Sequence, residues 1–73
     1  MTIHLAVRGD FIQLDQLLKT TGLCSSGGLA HAEIAAGKVS VDGVLETRKR
    51  AKLRLGQTVF YAGKAVILTA EEA

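Results

Sequence analysis

The sequence predicts an α+β fold in which a helical hairpin packs on a small antiparallel sheet. In the first half of the chain apolar residues recur at helical spacing, and in the second half they alternate with polar residues. Two short glycine-containing turns, Asp42-Gly43 and Ala62-Gly63, interrupt that alternation where strands can reverse. With 73 residues, of which 48% are hydrophobic, the chain is expected to form one domain over residues 1–73.

The N-terminal part is predicted to form a strand followed by a helix. Residues Thr2–Val7 alternate between apolar and polar side chains, so a strand here would have one apolar face. Leucines at helical spacing predict a helix over residues 12–20. Asp10 is the candidate cap for this helix, and Gly22 supplies its C-terminal stop.

A second helix is predicted to begin at Ser25 or Ser26, either of which can act as N-cap, and to end at Gly37. Because few residues separate the helices, they should form a hairpin. The Ser-Ser-Gly-Gly segment at its start is also a candidate anion site, since free N–H groups and the helix dipole favour negative charge there. The alternative is that the glycines only loosen the first turn. His31 lies one turn further along and is predicted to be at the surface.

The second half of the chain is predicted to form the sheet. Alternation on both sides of Asp42-Gly43 indicates a hairpin with a type I′ turn. The segment GQTVFYAGKAVILT is predicted to form two more strands that turn at Ala62-Gly63. Phe60 is expected to pack beneath a neighbouring strand, with stacking on a nucleobase as the alternative, and Phe11 is expected in the core.

The segment ETRKRAKLRLG, residues 46–56, is here called the basic segment. It carries five basic residues within seven positions: Arg48, Lys49, Arg50, Lys52 and Arg54. In an extended strand the even-numbered side chains would point to one face, and Ala51, Leu53 and Leu55 to the other. The period therefore predicts a row of cations on a strand that is anchored by its apolar face. Arg48 and Lys49 are expected in the loop that approaches this strand.

The charge of the chain is concentrated around the basic segment. Residues 37–64 contain seven basic and two acidic residues, a net charge of +5, whereas the rest of the chain carries −3. One basic surface is typical of a protein that binds a polyanion; the alternative is a solvated set of cations on an ordinary sheet. The chain shows no membrane-spanning run and no signal peptide, and its one cysteine suits a reducing compartment. A cytoplasmic location without membrane attachment is therefore expected.

The sequence offers few groups for catalysis. Cys24, His4 and His31 are the only thiol or imidazole groups, and their spacing indicates neither a Cys–His pair nor a metal site. Cys24 is predicted to be a small buried hydrophobe, and no phosphate-loop or paired-histidine motif is present. We therefore expect no enzymatic activity, no metal and no cofactor; a small hydrolase or redox protein that uses Cys24 is the alternative.

A series of short motifs follows in order along the chain: Leu14-Asp15, Gly22-Leu23, Ser26, Ala30, Ile34, Gly37, Val39, Val41, Asp42-Gly43, and Gly56-Gln57 with Val59. Together they resemble the RNA-binding domain of ribosomal protein S-four, also called the alpha-L motif. The resemblance covers roughly two thirds of the chain. The short length and the segment VDGVLETRKR are most similar to the free-standing bacterial members, the YbcJ-like group.

The resemblance implies a non-catalytic domain with the alpha-L RNA-binding fold, which binds structured RNA such as ribosomal or transfer RNA and can associate with the ribosome. The family often has arginine where this chain has Gln13 and Gly27, so two usual phosphate contacts from the helices are missing. Glu33 also replaces a usual apolar residue. We therefore predict that the cationic contacts have moved to the basic segment, together with Lys38.

The predicted nucleic-acid-binding residues are Arg48, Lys49, Arg50, Lys52, Arg54, Lys38, Ser26 and His31. Arginine can hold phosphate oxygens through two hydrogen bonds at once, and the helices and hairpin would recognise the shape of a folded RNA. The alternative is a protein-interaction module that docks on an acidic partner in a ribosomal or RNA-processing complex. The sequence does not predict the oligomeric state.

Overall fold

The computed structural model describes residues 2–70 and has two helices and seven strands in that range. The elements in chain order are β1 (Thr2–Val7), β2 (Ile12–Gln13), α1 (Leu14–Thr20), α2 (Gly27–Ala35), β3 (Val39–Val41), β4 (Val44–Leu45), β5 (Lys52–Leu53), β6 (Thr58–Tyr61) and β7 (Lys64–Ala70). Five strands form one sheet in the order β1-β7-β6-β3-β4, and β2 pairs with β5 separately. The predicted α+β architecture, a helical hairpin on a small sheet, is confirmed. No helix within residues 2–70 combines the length and the apolar composition needed to cross a membrane.

The five-stranded sheet is mixed rather than purely antiparallel. The predicted antiparallel pairing holds for β3 with β4, β3 with β6, and β6 with β7. At one edge, however, β1 pairs with β7 in parallel, with Thr2 opposite Ala65 and Val7 opposite Ala70. Alternation of side chains identifies a strand but carries no information about the direction of its partner, because the period is two in both cases.

Both predicted hairpin turns are confirmed. Asp42 and Gly43 have φ angles of 51° and 82°, and Ala62 and Gly63 have φ angles of 53° and 77°. Positive φ at both central residues is the type I′ geometry, whose twist matches that of the flanking strands. The Asp42 carboxylate also accepts a hydrogen bond of 2.8 Å from the Thr58 N–H, so the first hairpin is tied to β6.

The two helices differ in how they begin. β2 occupies the first two positions of the predicted first helix, so α1 starts at Leu14. Its N-cap residue is Gln13, which makes no side-chain capping bond. The prediction that Asp10 caps this helix was therefore wrong. The hydroxyl of Ser26 accepts a 3.1 Å hydrogen bond from the Leu29 N–H, which confirms a serine N-cap for α2. Each helix is followed by a glycine of positive φ, as predicted.

The core lies between the helical hairpin and one face of the five-stranded sheet, with the start of β5 beside it. Its residues are apolar and at most 8% exposed: Val7, Leu14, Leu17, Leu18, Cys24, Ala30, Ile34, Val39, Val41, Ala51, Leu53, Val59, Val66 and Leu68. Cys24 is 1% exposed, which confirms that it is a buried hydrophobe. Because Ala51 and Leu53 belong to this cluster, the basic segment is anchored to the core by its apolar residues.

Two aromatic residues predicted to be buried are not. Phe11 is 37% exposed and Phe60 is 46% exposed. Phe60 points away from its neighbour Val59, which is fully buried, and so lies on the face of the sheet opposite the helices. The prediction was wrong because burial of a strand residue depends on which face the helices cover, and the alternation alone does not identify that face.

Candidate nucleic-acid interface

The basic segment forms a turn and a short strand rather than one long strand. Residues 49–50 are in a turn, and only Lys52–Leu53 has strand geometry. Ala51 and Leu53 are buried, as the alternation predicts, but Leu55 is 48% exposed. Leu55 lies in a second turn, where Gly56 has a φ of 86°, and the period of two ends there. The predicted row of cations is therefore divided between two turns and one short strand.

The first of these turns is held against the start of α1 by backbone hydrogen bonds. The N–H of Asp15 donates to the carbonyl oxygen of Lys49 at 2.9 Å, and the N–H of Leu14 donates to that of Ala51 at 3.0 Å. These bonds satisfy N–H groups that have no partner within a helix and that the Gln13 side chain leaves uncapped. These two backbone bonds therefore help to position the turn against α1.

Three cations of the basic segment line one open cleft of about 440 Å³. Its lining residues are Arg48, Arg50, Ala51 and Lys52, and the three basic ones are exposed. A concave surface lined by one sign of charge concentrates the potential, because the low-dielectric walls focus the field. An anion in this cleft would be approached by several cations at once.

Arg48 is held by an ion pair within the same segment. Its Nε and Nη2 donate to Oε2 and Oε1 of Glu46 at 3.1 and 3.0 Å, and its backbone N–H donates to Oε2 at 3.0 Å. These hydrogen bonds from Arg48 hold the pKa of Glu46 below its usual value, so the carboxylate is ionised at neutral pH. The Arg48 side chain is still 79% exposed. Only two of its five guanidinium N–H groups are used, and the others remain available to an anion.

Asp15 connects the basic segment to α2. Its Oδ2 lies 2.9 Å from Nε2 of His31, whose side chain is 35% exposed. Burial raises the pKa of Asp15, but hydrogen bonds from His31 and from the Gln16 N–H, with the charges of His31 and Arg50, outweigh burial and lower it. His31, which was predicted to be at the surface, is therefore paired with the carboxylate of Asp15, and that carboxylate also interacts electrostatically with Arg50.

Replacing Asp15 with Asn is expected to lower the free energy of unfolding by about 1 kcal/mol at pH 7, because the charge-assisted hydrogen bond to His31 is lost. The pKa of Asp15 is lower in the folded chain. Its contribution is therefore present above the unfolded pKa and is lost as the pH falls through the folded value. Urea unfolding of both proteins should show a difference at pH 7 that becomes smaller at an acid pH below the ordinary aspartate pKa of about 3.9.

The exposed residue Asp10 provides the control for this measurement. Asp10→Asn should leave the free energy of unfolding unchanged within about 0.5 kcal/mol, as is usual for surface substitutions. An Asp15→Asn difference of equal size at both pH values would contradict the coupling of Asp15 to His31.

Lys38 is engaged elsewhere. Its Nζ lies 3.2 Å from Oε2 of Glu33, while the Tyr61 hydroxyl donates to Oε1 of Glu33 at 2.7 Å. The hydrogen bonds from Tyr61 and Lys38 lower the pKa of Glu33. Glu33, which stands where the family usually has an apolar residue, thus connects α2 to β6 through Tyr61. Lys38 is 60% exposed, but its charge is partly neutralised, and it does not line the cleft.

The other predicted residues lie outside the cleft lining. Lys49 and Arg54 are exposed but do not line it, and Ser26 is occupied as the N-cap of α2. The sequence reasoning missed Lys19, whose Cδ is 3.8 Å from where a Cβ on Gly27 would lie. A basic side chain from α1 therefore lies next to the position where the family often has arginine. The signal available in the sequence was a lysine in the last turn of the first helix.

A second missed residue is Phe11. The Nζ of Lys52 lies 5.0 Å from the centroid of its ring, which is a cation–π contact. The chain therefore has one partly exposed aromatic ring directly beside the basic segment. The sequence carried no signal for this position of Phe11, because it predicted a helix from residue 12 and not the strand β2.

The structure gives no separate site for metal chemistry in the part of the chain that it describes. Within residues 2–70, His, Cys, Asp and Glu form no group of three or more that could hold a metal ion. The Cys24 thiol, which the sequence left open as a nucleophile, is buried in the core.

Comparisons with known proteins agree with the resemblance found in the sequence. Residues 5–69 match the family model of the S4 domain. A protein of Escherichia coli K12 named "Putative RNA-binding protein YbcJ" is 49% identical over 59 residues, which cover 81% of this chain and 84% of that protein. YbcJ of Shigella flexneri has the same identity and coverage. The solution structure of YbcJ from E. coli, described as revealing an alpha-L motif involved in RNA binding, matches with a TM-score of 0.66 and 45% identity. That match covers 94% of this chain and 86% of that one.

Proposed function

The chain belongs to the S4 domain family, and we propose that it is a non-catalytic cytoplasmic module that binds structured RNA, such as ribosomal or transfer RNA, through its phosphates. The observation that carries the proposal is the cleft lined by Arg48, Arg50 and Lys52. A folded RNA presents phosphates in a fixed arrangement, and a cationic surface held by backbone bonds can match it without ordering a flexible loop.

Arg50 and Lys52 are the strongest candidates for phosphate contacts. Neither forms an ion pair with an acidic residue among the residues described, in contrast to Arg48 and Lys38. A guanidinium group can donate two parallel hydrogen bonds to one phosphate, whereas an ammonium group acts as a point charge. Arg50 would therefore fix the orientation of the RNA backbone, and Lys52 would add electrostatic attraction to its phosphates.

The remaining basic and polar residues extend the surface around the cleft. Lys49 and Arg54 are exposed and lie close to the lining residues in sequence, and His31 pairs with Asp15, whose backbone N–H donates to the Lys49 carbonyl oxygen. Ser26 and Lys38 make smaller contributions, because the hydroxyl of Ser26 caps α2 and the ammonium group of Lys38 pairs with Glu33.

Affinity for a structured RNA is expected to fall steeply with salt. Five phosphate contacts from the basic segment predict a slope of roughly −3.5 to −4.5 in a plot of log K against log salt concentration. Fluorescence anisotropy titrations with a labelled RNA hairpin, at several KCl concentrations between about 50 and 300 mM, measure this slope. A flat response would contradict phosphate binding. Capture of a protein partner that survives nuclease treatment would favour a protein-interaction module instead.

A further inference from the structure

We infer that Phe11 is a stacking platform for an unpaired nucleobase, so that the preferred ligand is a structured RNA with an unpaired nucleotide beside the backbone held in the cleft. The inference rests on the proposed RNA-binding function and adds to it the class of RNA. It follows from the position of Phe11, its exposure and the charges around it.

Phe11 lies on the solvent side of the small sheet that β2 and β5 form. The antiparallel register places Ile12 opposite Leu53 and Gln13 opposite Lys52. Leu53 is 2% exposed, so the side chains of the Ile12–Leu53 pair face the core. Because side chains alternate along a strand, Phe11 and Lys52 are on the opposite, outward side. The 5.0 Å cation–π contact joins them there.

The ring contributes little to the core. It is more than a third exposed, and it is absent from both the buried cluster and the half-buried residues that pack against that cluster. The face of the ring is in contact with the ammonium group of Lys52. A phenylalanine in such a place is available for contact with an apolar, flat ligand.

Lys52 brings the ring and the cleft together, because it lines the cleft and also covers the ring. A phosphate in the cleft would compete with the ring for the ammonium group, and a turn of Lys52 toward the phosphate would uncover the ring. The base next to that phosphate could then stack on Phe11. Bases in a duplex are stacked inside the helix, so only an unpaired base can do this. Aromatic rings next to cations are a common means of binding unpaired nucleotides.

Phe60 is the natural comparison, because it is the other exposed phenylalanine. Its cross-strand neighbours are Ser40 and Ala65, neither of which carries a charge. Neither residue directly opposite Phe60 is a cation, whereas the Phe11 ring is in direct contact with the ammonium group of Lys52, so this contact favours Phe11.

The test uses two RNA hairpins that differ by a single-nucleotide bulge, with 2-aminopurine as the bulged base. Wild type should bind the bulged hairpin about tenfold more tightly, in line with the stacking of one base on an aromatic ring. Phe11→Leu should lose this preference and leave the affinity for the fully paired hairpin within about twofold. Phe11→Trp should keep the preference, and the control Phe60→Leu should not change it. Wild type should also quench the 2-aminopurine fluorescence, and Phe11→Leu should not.

The outcomes separate the inference from the function on which it rests. Salt-dependent binding to both hairpins with equal affinity, or a bulge preference that survives in Phe11→Leu, would overturn the stacking role and leave RNA binding intact. Absence of binding to either hairpin at about 50 mM KCl would overturn both. If circular dichroism shows that Phe11→Leu does not fold, the wild-type fluorescence decides, and an unquenched 2-aminopurine would overturn the inference.

Discussion

Changing both Arg50 and Lys52 to glutamate is expected to weaken binding to structured RNA by about a hundredfold to a thousandfold at 0.1 M salt. Each phosphate contact accounts for roughly 0.7 to 0.9 units of log K per tenfold change in salt. The double variant removes two such contacts and adds two repulsive charges in the same cleft. The salt slope should become shallower by about 1.4 to 1.8. Anisotropy titrations with one RNA hairpin measure both quantities.

The single variants Lys52→Glu and Lys64→Glu provide a matched control, because they change the net charge equally. Lys64 lies at the start of β7, next to the Ala62-Gly63 turn, and does not line the cleft. Lys64→Glu should weaken binding only slightly, whereas Lys52→Glu should weaken it at least tenfold. Equal losses would indicate that only the net charge matters and would contradict a role for the cleft. Denaturation curves should first establish that each variant is folded, since Arg50 also acts on Asp15.

Leu53→Ala is expected to lower the free energy of unfolding by about 2 to 5 kcal/mol, the usual cost of emptying a fully buried leucine position. Leu53 is 2% exposed and belongs to the core cluster. A chain of 73 residues has little stability to spare, so a substantial unfolded fraction should appear at physiological temperature. Urea unfolding followed by circular dichroism measures the change.

Leu55→Ala is the control for this substitution, because it removes the same atoms two residues away. Leu55 is 48% exposed, and its truncation should change the free energy of unfolding by less than about 0.5 kcal/mol. Comparable losses in the two variants would mean that Leu55 is buried, as the uninterrupted alternation of the sequence suggested. RNA affinity of Leu55→Ala should equal that of wild type.

The elements that the sequence predicted well are those determined by neighbouring residues. The Asp42-Gly43 turn needs two residues that tolerate positive φ, and the residues themselves supply that information. In contrast, β2 has two residues and exists because it pairs with β5, which is distant in sequence. The strand period also fails at Leu55, because the Gln57 side chain accepts a 2.7 Å hydrogen bond from the Arg54 N–H and closes a turn.

The candidate site was predictable in its charges but not in its pairings. The five cations of the basic segment are visible in the sequence as residue types. The pairs of His31 with Asp15 and of Tyr61 with Glu33 join residues that are distant in sequence, and they depend on how the helices pack. Phe11 was expected in the core, and the register of β2 with β5, together with the alternation of side chains, places it on the outward side.

The backbone bonds between α1 and the basic segment also affect the order in which the chain can fold. The N–H groups of Leu14 and Asp15 donate to the carbonyl groups of Ala51 and Lys49, which lie about half of the chain further on in the sequence. Until the basic segment has been synthesised, these N–H groups therefore lack their native partners. Forming these bonds closes a long loop and therefore carries the entropy cost of a contact between distant parts of the chain. The cationic turn can therefore be fixed against α1 only after both of these distant parts of the chain have been made.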